Sequence, residues 1–288
     1  MSWTAADLPS FAGRTVIVTG ANSGLGLVTA RELARAGGTV ILACRNTAKG
    51  EQAAATMSGN VEVRALDLQD LASVREFADG VERVDVLINN AGIMAVPYAL
   101  TTDGFESQIG TNHLGHFALT NLLLPKVTDR VVTVSSIMHL LGKISLKDLN
   151  WKARPYSAWL AYGQSKLANL LFTSELQRRL DAAGSLLKAH SAHPGYSATN
   201  LQGHTGNPLG TRFWNTATSL VGTSADFGAR QTLYAASADL PDNSFIGPKF
   251  AMRGPTGQSP RSPLATDAKT ARALWTLSEQ LTGTEFPL

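Results

Sequence analysis

Tyr162 and Lys166 stand four positions apart in a strongly helical stretch of the sequence. Residues at positions i and i+4 share one face of a helix, so the phenol and the ammonium can act on the same site. A free tyrosine is a poor acid–base catalyst near neutral pH because its pKa is about 10, and a neighbouring ammonium lowers that pKa. The pair therefore predicts proton transfer by a tyrosine. The alternative is that Tyr162 packs at a helix interface and Lys166 is solvated.

Two further polar residues complete a candidate catalytic group. Ser136 lies just past a strand-like run, where its hydroxyl could hydrogen-bond a substrate oxygen. Asn112, in the predicted helix before that strand, could hold a water molecule on Lys166. The alternative for Ser136 is that it simply ends a strand.

A glycine-rich segment follows the first strand-like run. It reads Thr19-Gly20-Ala21-Asn22-Ser23-Gly24-Leu25-Gly26 and opens a predicted helix. Glycines allow a tight turn and a close approach of the backbone to a pyrophosphate, and the helix N-terminus offers unpaired N–H groups and a positive dipole end. This context favours a dinucleotide site over a purely structural turn.

The end of the second predicted strand bears on the choice of dinucleotide. An acidic residue there would bind the ribose 2′-hydroxyl and repel a 2′-phosphate, but the sequence reads Leu42-Ala43-Cys44-Arg45-Asn46. Arg45 has a planar donor fork that matches a phosphate, and Lys49 lies one helical turn further on. We therefore expect NADP(H) in preference to NAD(H). The alternative is that Arg45 is an ordinary exposed arginine.

Short apolar runs alternate with longer helical patterns along the chain. The predicted strands are Thr15–Thr19, Thr39–Ala43, Val61–Ala65, Val84–Ile88, Arg130–Val134 and Leu187–Ala192. The predicted helices are Gly24–Ala36, Ala48–Met57, Leu71–Phe77, Glu106–Leu124, Trp159–Ala183, Ser224–Ala236 and Ala265–Leu281. Apolar strands without alternation are typical of a parallel sheet that is buried on both faces. The pattern predicts an α/β fold over residues 1–288, a single-domain Rossmann-type doubly wound parallel sheet with three αβα layers.

Taken together, the motifs resemble those of the short-chain dehydrogenase/reductase (SDR) family. They occur in the order of that family: Thr19-Gly-x-x-x-Gly24-x-Gly26, Asn89-Asn90-Ala91-Gly92, Ser136, Tyr162-x-x-x-Lys166 and Pro194-Gly195. The resemblance covers roughly Gly13 to Thr199. It is greatest to the retinol dehydrogenase and protochlorophyllide reductase-like branch, on the strings Ala43–Asn46, Thr111–Phe117 and Ala161–Phe172.

The resemblance implies a role for each matching residue. The catalytic tetrad would be Asn112, Ser136, Tyr162 and Lys166. With the glycine loop and Arg45 included, the residues expected to bind the cofactor are Gly20, Asn22, Ser23, Gly24, Leu25, Gly26, Arg45, Asp67, Leu68, Asn90, Ala91, Gly92, Tyr162, Lys166, Pro194, Gly195 and Thr199. Of these, Asp67 and Leu68 match the adenine contacts of the family. Without the family, Asp67 is interpreted as a strand-to-helix cap.

Three loop regions are expected on the substrate side, around residues 137–158, 196–222 and 248–263, because open α/β sheets bind ligands at the carboxyl ends of their strands. The first is an insertion, since 26 positions separate Ser136 from Tyr162 and compact SDR members are shorter there. The insertion either covers the sheet or brings Trp151 and Trp159 to the mouth of a pocket for a large apolar substrate.

Composition excludes several classes of function. The chain has 25 Lys and Arg against 22 Asp and Glu and no run of five or six like charges, so a nucleic-acid partner is not expected. Cys44 is the only cysteine and is expected to be a small buried group. His113 and His116 lack the accompanying ligands of a metal site, so no metal is expected. His190 and His193 are expected to be hydrogen-bonded core histidines.

The sequence contains no run of 18 apolar residues and no signal-peptide pattern at its start, so no integral membrane segment and a cytoplasmic location are expected. Leu167, Leu170, Leu171 and Phe172 belong either to the core or to a subunit interface, which leaves a homo-oligomer open.

The expected function is NADP(H)-dependent hydride transfer between nicotinamide and the carbonyl or alcohol of a small molecule, with an apolar retinoid-, steroid- or lipid-like substrate. One alternative keeps the site but reduces a conjugated C=C bond or epimerises its substrate. Another is a catalytically silent NADP(H)-binding regulatory module, whose signature would be loss of the tyrosine or the lysine. Both residues are present.

Overall fold

Eight strands form one sheet in the computed structural model of the protein, which describes residues 3–195 and 224–288. The strands are β1 (Thr15–Thr19), β2 (Thr39–Cys44), β3 (Asn60–Ala65), β4 (Val84–Asn89), β5 (Val127–Val134), β6 (Lys188–Ala192), β7 (Phe245–Pro248) and β8 (Thr256–Gln258). Their order is 3-2-1-4-5-6-7-8, with β1 to β7 parallel and β8 antiparallel to β7. The sheet is therefore doubly wound, as the sequence predicted.

The direction of winding reverses at β1, which pairs with β2 on one side and with β4 on the other. In the register of these pairs, Val16 of β1 lies opposite Val40 of β2 and Val86 of β4. In open α/β sheets a crevice opens beyond the carboxyl ends of the strands at such a switch point, and ligands bind there.

In the described part of the chain, seven longer helices connect and cover the strands. They are α1 (Gly24–Arg35), α2 (Thr47–Ala54), α3 (Leu71–Asp79), α4 (Gly115–Leu123), α5 (Ala158–Ala182), α6 (Ala225–Ser237) and α7 (Ala268–Thr282). A short helical turn, Ser107–Ile109, and a π-helical segment, Gly110–Leu114, lead into α4. The sequence predicted one continuous helix from Glu106 to Leu124. The structure differs from this prediction, because a π-helical segment interrupts the α-helix.

The helices pack in two layers, one on each face of the sheet. One layer buries a core that includes Phe117, Leu171 and Trp275. The opposite layer buries a second core that includes Leu33 and Leu233. The three αβα layers predicted from the sequence are present.

The Leu167–Phe172 stretch of α5 belongs to the core. Its four apolar side chains named above are at most 3% exposed. Phe172 stacks on Trp275 of α7, with ring centroids 5.6 Å apart and an interplanar angle of 7°. Because all four side chains are buried in the core of the chain itself, they do not form an exposed interface.

Two short strands and one edge differ from the sequence-based expectation. β8 lies within the stretch 248–263 that was interpreted as a loop, and β7 ends at the first residue of that stretch. The two strands are only four and three residues long and contain glycine, so they carry little strand signal in the sequence. β3 lies at the edge of the sheet and alternates between partly buried and exposed positions, so it is not buried on both faces. Within the described ranges, no helix is both long and apolar enough to span a membrane.

Candidate active site

A cleft of about 300 Å³ opens at the carboxyl edge of the sheet beside β1, β2 and β4. The predicted site residues that line it are Gly20, Asn22, Ser23, Gly24, Leu25, Gly26, Arg45, Asp67, Leu68, Asn90, Ala91, Gly92, Tyr162, Lys166 and Pro194. Asn112, Ser136 and Gly195 lie outside its lining, and Thr199 and the loop 196–222 fall outside the described residues. The fold thus gathers segments that are far apart in the sequence.

The glycine loop packs closely against the segment that follows β4. A Cβ atom on Gly26 would lie 2.5 Å from the Asn90 amide nitrogen and 2.6 Å from the Gly20 carbonyl oxygen, so only glycine fits. Gly20 has a φ of 65°, a left-handed conformation that favours glycine. Asn90 donates from its side chain to the Thr19 carbonyl oxygen at 2.7 Å, which fixes the turn.

The N-terminus of α1 faces this cleft without a side-chain cap. Ser23 is the N-cap residue, but its side chain accepts no hydrogen bond from the first turn, although Ser is a strong capping residue. The N–H groups of the first turn of a 12-residue helix therefore remain available beside the cleft. Such a helix end attracts anions through its dipole and its free donors, so these residues fit the diphosphate of a dinucleotide.

The end of β2 presents a cation and no acid. Arg45 is exposed and lines the cleft. Asn46 caps α2, where its side chain accepts the Lys49 N–H at 2.9 Å. Cys44 is 2% exposed, and burial raises the pKa of its thiol. The thiol is therefore protonated near neutral pH, which agrees with its expected role as a small buried group.

Asp67 does not cap a helix. Its carboxylate accepts the Gln69 N–H at 2.9 Å and stabilises the turn after β3, while Asp70 caps α3 by accepting the Ala72 N–H. The strand-to-helix cap considered from the sequence is therefore Asp70, and the Asp67–Leu68 turn lies at the wall of the cleft.

Tyr162 lines the cleft, and Ser136 lies close to it, just outside the lining. Tyr162 is 6% exposed, and burial raises the pKa of its phenol to about 12, whereas a hydrogen bond with the Ser136 side chain lowers it. Lys166 is not among the groups that shift this pKa, so the lowering expected from the lysine does not appear. A phenol with this pKa is protonated near neutral pH and can donate its proton to an oxygen that is gaining charge.

Lys166 is buried beside the tyrosine. Its ammonium donates to the Val134 carbonyl oxygen at 3.1 Å, and burial lowers its pKa to about 8. The ammonium forms no ion pair with any carboxylate in the described parts of the chain. A buried cation without a carboxylate partner keeps a strong field in the site, since little solvent screens it.

Asn112 lies within the π-helical segment, and its side chain binds the backbone. Its amide oxygen accepts the Ile93 N–H at 2.9 Å, and its amide nitrogen donates to the Ile93 carbonyl at 3.0 Å and to the Ser165 hydroxyl at 2.9 Å. The side chain thus connects the loop after β4 to the helix that carries Tyr162. It makes no direct hydrogen bond to Lys166.

The histidines have separate roles. His113 bonds to Ser278 of α7 and His116 bonds to Thr19, so the two do not face a common ligand. His193 accepts the Gly195 N–H and bonds to Ser259, as expected of a core histidine. His190 differs from the expectation, because it is fully buried and neither ring nitrogen has a hydrogen-bond partner among the described residues.

The insertion 137–158 packs against the helix turn before the π-helical segment and against α5. Tyr156 donates to the buried carboxylate of Glu106 at 3.0 Å, and Gly142 packs tightly on the backbone of Gly163. Trp151 is 7% exposed and lies under the Arg154 guanidinium at 3.6 Å, whereas Trp159 is 41% exposed. Neither tryptophan lines the cleft, so the insertion mainly packs against α5.

Several cleft residues were not predicted as site residues from the sequence. They are Ala43, Cys44, Leu66, Gln69, Ile93, Met94, Thr111, Val134 and Ser135. Most adjoin a predicted site residue, so proximity in sequence was the available signal. Ser135 also donates to the Lys166 carbonyl oxygen at 2.8 Å, a contact that only the folded chain reveals.

The chain is similar to known proteins over almost its whole length. A family model described as short chain dehydrogenase matches residues 14–209. Retinol dehydrogenase 13 of Homo sapiens is 45% identical over 300 residues, which cover 96% of this chain and 86% of that protein. Retinol dehydrogenase 12 of Homo sapiens is 43% identical over 284 residues, which cover 94% of this chain and 87% of that protein.

Solved structures show the same fold. An uncharacterized protein from Mycobacterium Paratuberculosis is 70% identical, with a TM-score of 0.90 and full coverage of both chains. A structure from Beutenbergia cavernae, described as an NAD(P) dependent gluconate 5-dehydrogenase with bound NADP, is 25% identical with a TM-score of 0.63 and covers 83% of this chain and 96% of that one. The fold implies a nicotinamide cofactor, and the chain belongs to the short-chain dehydrogenase family of oxidoreductases.

Proposed function

We propose that the protein is an NADP(H)-dependent reductase of aldehydes or ketones, with the reverse alcohol oxidation at the same site. The observation that carries the proposal is the arrangement at the inner end of the cleft. There the Tyr162 phenol lies close enough to the Ser136 side chain for the serine to lower its pKa, and the buried ammonium of Lys166 lies 5.7 Å from the centre of the tyrosine ring.

Each of these side chains has a defined task in the reduction. The cofactor, when bound, supplies the hydride. Tyr162 donates its phenolic proton to the carbonyl oxygen, and the Ser136 hydroxyl orients that oxygen by a hydrogen bond. Lys166 stabilises the phenolate that remains, because its positive charge lies in a site from which water is largely excluded. Asn112 keeps the loop after β4 and the catalytic helix in register.

The preference for NADP(H) rests on charge at the end of β2. Arg45 stands at the wall of the cleft where a carboxylate would select NAD(H), and Lys49 on the first turn of α2 adds a second cation. A guanidinium can bind a 2′-phosphate through two parallel hydrogen bonds, so the phosphate adds affinity at this position.

The substrate class is proposed as apolar and retinoid-, steroid- or lipid-like. The support is similarity to relatives named retinol dehydrogenases, at 40–46% identity over at least 94% of this chain. Ile93 and Met94 add apolar surface at the inner wall of the cleft.

One experiment tests both the reaction and the nucleotide. The purified chain is assayed for NADPH and NADH consumption with retinal, a ketosteroid, medium-chain aldehydes and a conjugated enone, and the products are identified by mass spectrometry. Reduction of a carbonyl to an alcohol with NADPH supports the proposal. Exclusive reduction of the C=C bond, or no turnover with any compound while NADPH binds, contradicts it.

Replacing Arg45 isolates the nucleotide preference. Arg45→Ala should raise the Kd of NADPH by about tenfold or more and leave the Kd of NADH nearly unchanged, because one charge-assisted bidentate contact is lost. Arg83→Ala is the matched control, since that arginine is exposed and lies at the opposite edge of the sheet. Equal affinity of the Arg45→Ala variant and the wild-type chain for NADPH would contradict this part of the proposal.

A further inference from the structure

The Thr19 hydroxyl is a point where several hydrogen bonds meet beneath the glycine loop. It accepts the Asn90 N–H and the Ala91 N–H, each at 2.9 Å. A hydroxyl has two acceptor lone pairs and one proton, so both lone pairs are occupied and only the proton remains. The nearest acceptor for that proton is Nε2 of His116, at 2.9 Å. The Ile88 carbonyl oxygen is farther away, at 3.4 Å.

The other ring nitrogen of His116 contacts the catalytic group. Its Nδ1 atom lies 3.1 Å from the carbonyl oxygen of Asn112, which can only accept a hydrogen bond. Nδ1 therefore carries the proton, and Nε2 is free to accept the Thr19 hydroxyl. The two contacts require the same neutral tautomer of the imidazole.

The surroundings of His116 maintain that neutral form. The side chain is 2% exposed, and burial, together with the nearby positive charge of Lys166, lowers its pKa to about 3. The imidazole therefore adds no second positive charge beside Lys166 at any pH near neutrality.

The hydrogen bond from His116 to the Asn112 carbonyl holds a part of the helix whose geometry is irregular. Asn112 lies in the π-helical segment, where backbone hydrogen bonds run to the fifth residue and the helix is locally distorted. Its amide oxygen approaches Gly92 so closely that a Cβ there would lie 3.1 Å away, and the Lys166 ammonium would be 3.5 Å from the same Cβ. Small shifts of this segment would thus reach the lysine.

We propose that His116 is a positioning residue that joins the cofactor loop to the catalytic group through a chain of hydrogen bonds from Thr19 to the Asn112 carbonyl. One end of the chain holds Asn90 and Ala91 against the glycine loop. The other end holds the segment that carries Asn112. The inference rests on the proposed function and identifies an element that sets nucleotide affinity and turnover together.

Two substitutions each break one of the two hydrogen bonds of His116 and keep the other. In His116→Asn the amide nitrogen occupies the place of Nδ1 and still reaches the Asn112 carbonyl. The new side chain is too short to reach the Thr19 hydroxyl, which keeps only the longer contact with the Ile88 carbonyl. In His116→Gln the amide oxygen occupies the place of Nε2 and still accepts from Thr19, but the bond to the Asn112 carbonyl is lost. Both variants keep a neutral polar side chain in the buried position.

One variant should mainly change the Kd of NADPH, and the other should mainly change kcat. His116→Asn should raise the Kd of NADPH by about tenfold and lower kcat at saturating NADPH by less than that, because the cofactor loop loses its support. His116→Gln should lower kcat by about tenfold and raise the Kd by less. The Kd is measured by fluorescence titration of the 288-residue chain with NADPH, and kcat with the carbonyl substrate found in the assay described under the proposed function.

His113 provides the matched control. It lies three residues earlier, is equally buried, and contacts Ser278 of α7 instead of the site. His113→Gln should lower the melting temperature and leave both Kd and kcat within about twofold. Ser278→Ala removes the same contact from the other side, which covers the case in which His113→Gln does not fold.

The split between Kd and kcat decides the inference. The inference is supported if the Kd of NADPH is higher in His116→Asn than in His116→Gln and kcat is lower in His116→Gln than in His116→Asn. It is overturned if His116→Asn binds NADPH as tightly as the wild-type chain, or if the His116 variants change only the melting temperature, as His113→Gln does. If the wild-type chain binds NADPH but reduces no carbonyl, the proposed function is contradicted. The inference can still be decided in that case, because the titration needs no substrate and compares the Kd of NADPH in His116→Asn with that in His116→Gln.

Discussion

The Nζ atom of Lys166 lies 5.7 Å from the ring centre of Tyr162. The ammonium also donates to the carbonyl at the end of β5, so the chain fixes its position. Both side chains are almost completely buried, and burial acts on them in opposite directions. It raises the pKa of the phenol to about 12 and lowers the pKa of the ammonium to about 8. Near neutral pH the pair therefore consists of a neutral acid beside a cation.

The pH profile of reduction should report Lys166. Below about pH 8 the lysine is protonated and supports the phenolate that forms, so kcat/KM for reduction should fall as pH rises through about 8. In Lys166→Arg the guanidinium keeps its charge to above about pH 12, so this fall should disappear even if the overall rate is lower. The measurement is kcat/KM from pH 6 to 10, with Lys269→Arg as control, because Lys269 is exposed on α7 and does not line the cleft. A fall at the same pH in Lys166→Arg would assign it to another group.

Tyr162→Phe should lower kcat by about 10² to 10⁴-fold, because the variant cannot donate the proton while the ring still fills its place. NADPH binding should persist, which fluorescence titration measures. The same variant should show an unchanged circular dichroism spectrum. Turnover within tenfold of the wild-type chain in a folded variant would show that another group supplies the proton.

Gly26→Ala should weaken nucleotide binding and reduce the free energy of unfolding by about 1–3 kcal/mol, since the new methyl group would overlap the Asn90 side chain and the Gly20 carbonyl. Gly257→Ala is the control, because a Cβ there meets nothing within 4 Å and its φ is not in the left-handed region. Chemical denaturation and NADPH titration of both variants check this. Equal stability of the two variants would contradict the close packing of the loop.

Acid should destabilise the fold through its buried histidines. Burial lowers the pKa of His113 from 6.5 to about 3, so below pH 6.5 the unfolded chain takes up a proton that the folded chain does not. The associated stability is present above pH 6.5 and is lost as pH falls toward 3, by about 1.4 kcal/mol per pH unit for each such histidine. His113→Gln should therefore lose about 2 kcal/mol less than the wild-type chain between pH 7 and 5, as urea denaturation measures. Identical pH dependence would mean that His113 is protonated in the folded protein.

Some features of the site follow from residues that are close together in the sequence. The i, i+4 spacing places Tyr162 and Lys166 on one helix face, and the glycine segment follows β1 directly. Apolar runs and helical periods likewise predicted six of the strands and the doubly wound sheet, because burial on both faces leaves a local signature. The three αβα layers then follow from the rules for connecting parallel strands.

Contacts between distant residues were decided by the tertiary structure. Thr19 and His116 are 97 positions apart, and no local pattern indicates that their side chains meet. The same holds for the π-helical segment around Asn112 and for the short strands β7 and β8, whose conformations depend on neighbours from other parts of the chain. The sequence by itself determined which elements form and which chemical groups they carry, since these depend on local periodicity. Packing determined which of those groups touch and whether they are charged, because both depend on burial by residues that are remote along the chain.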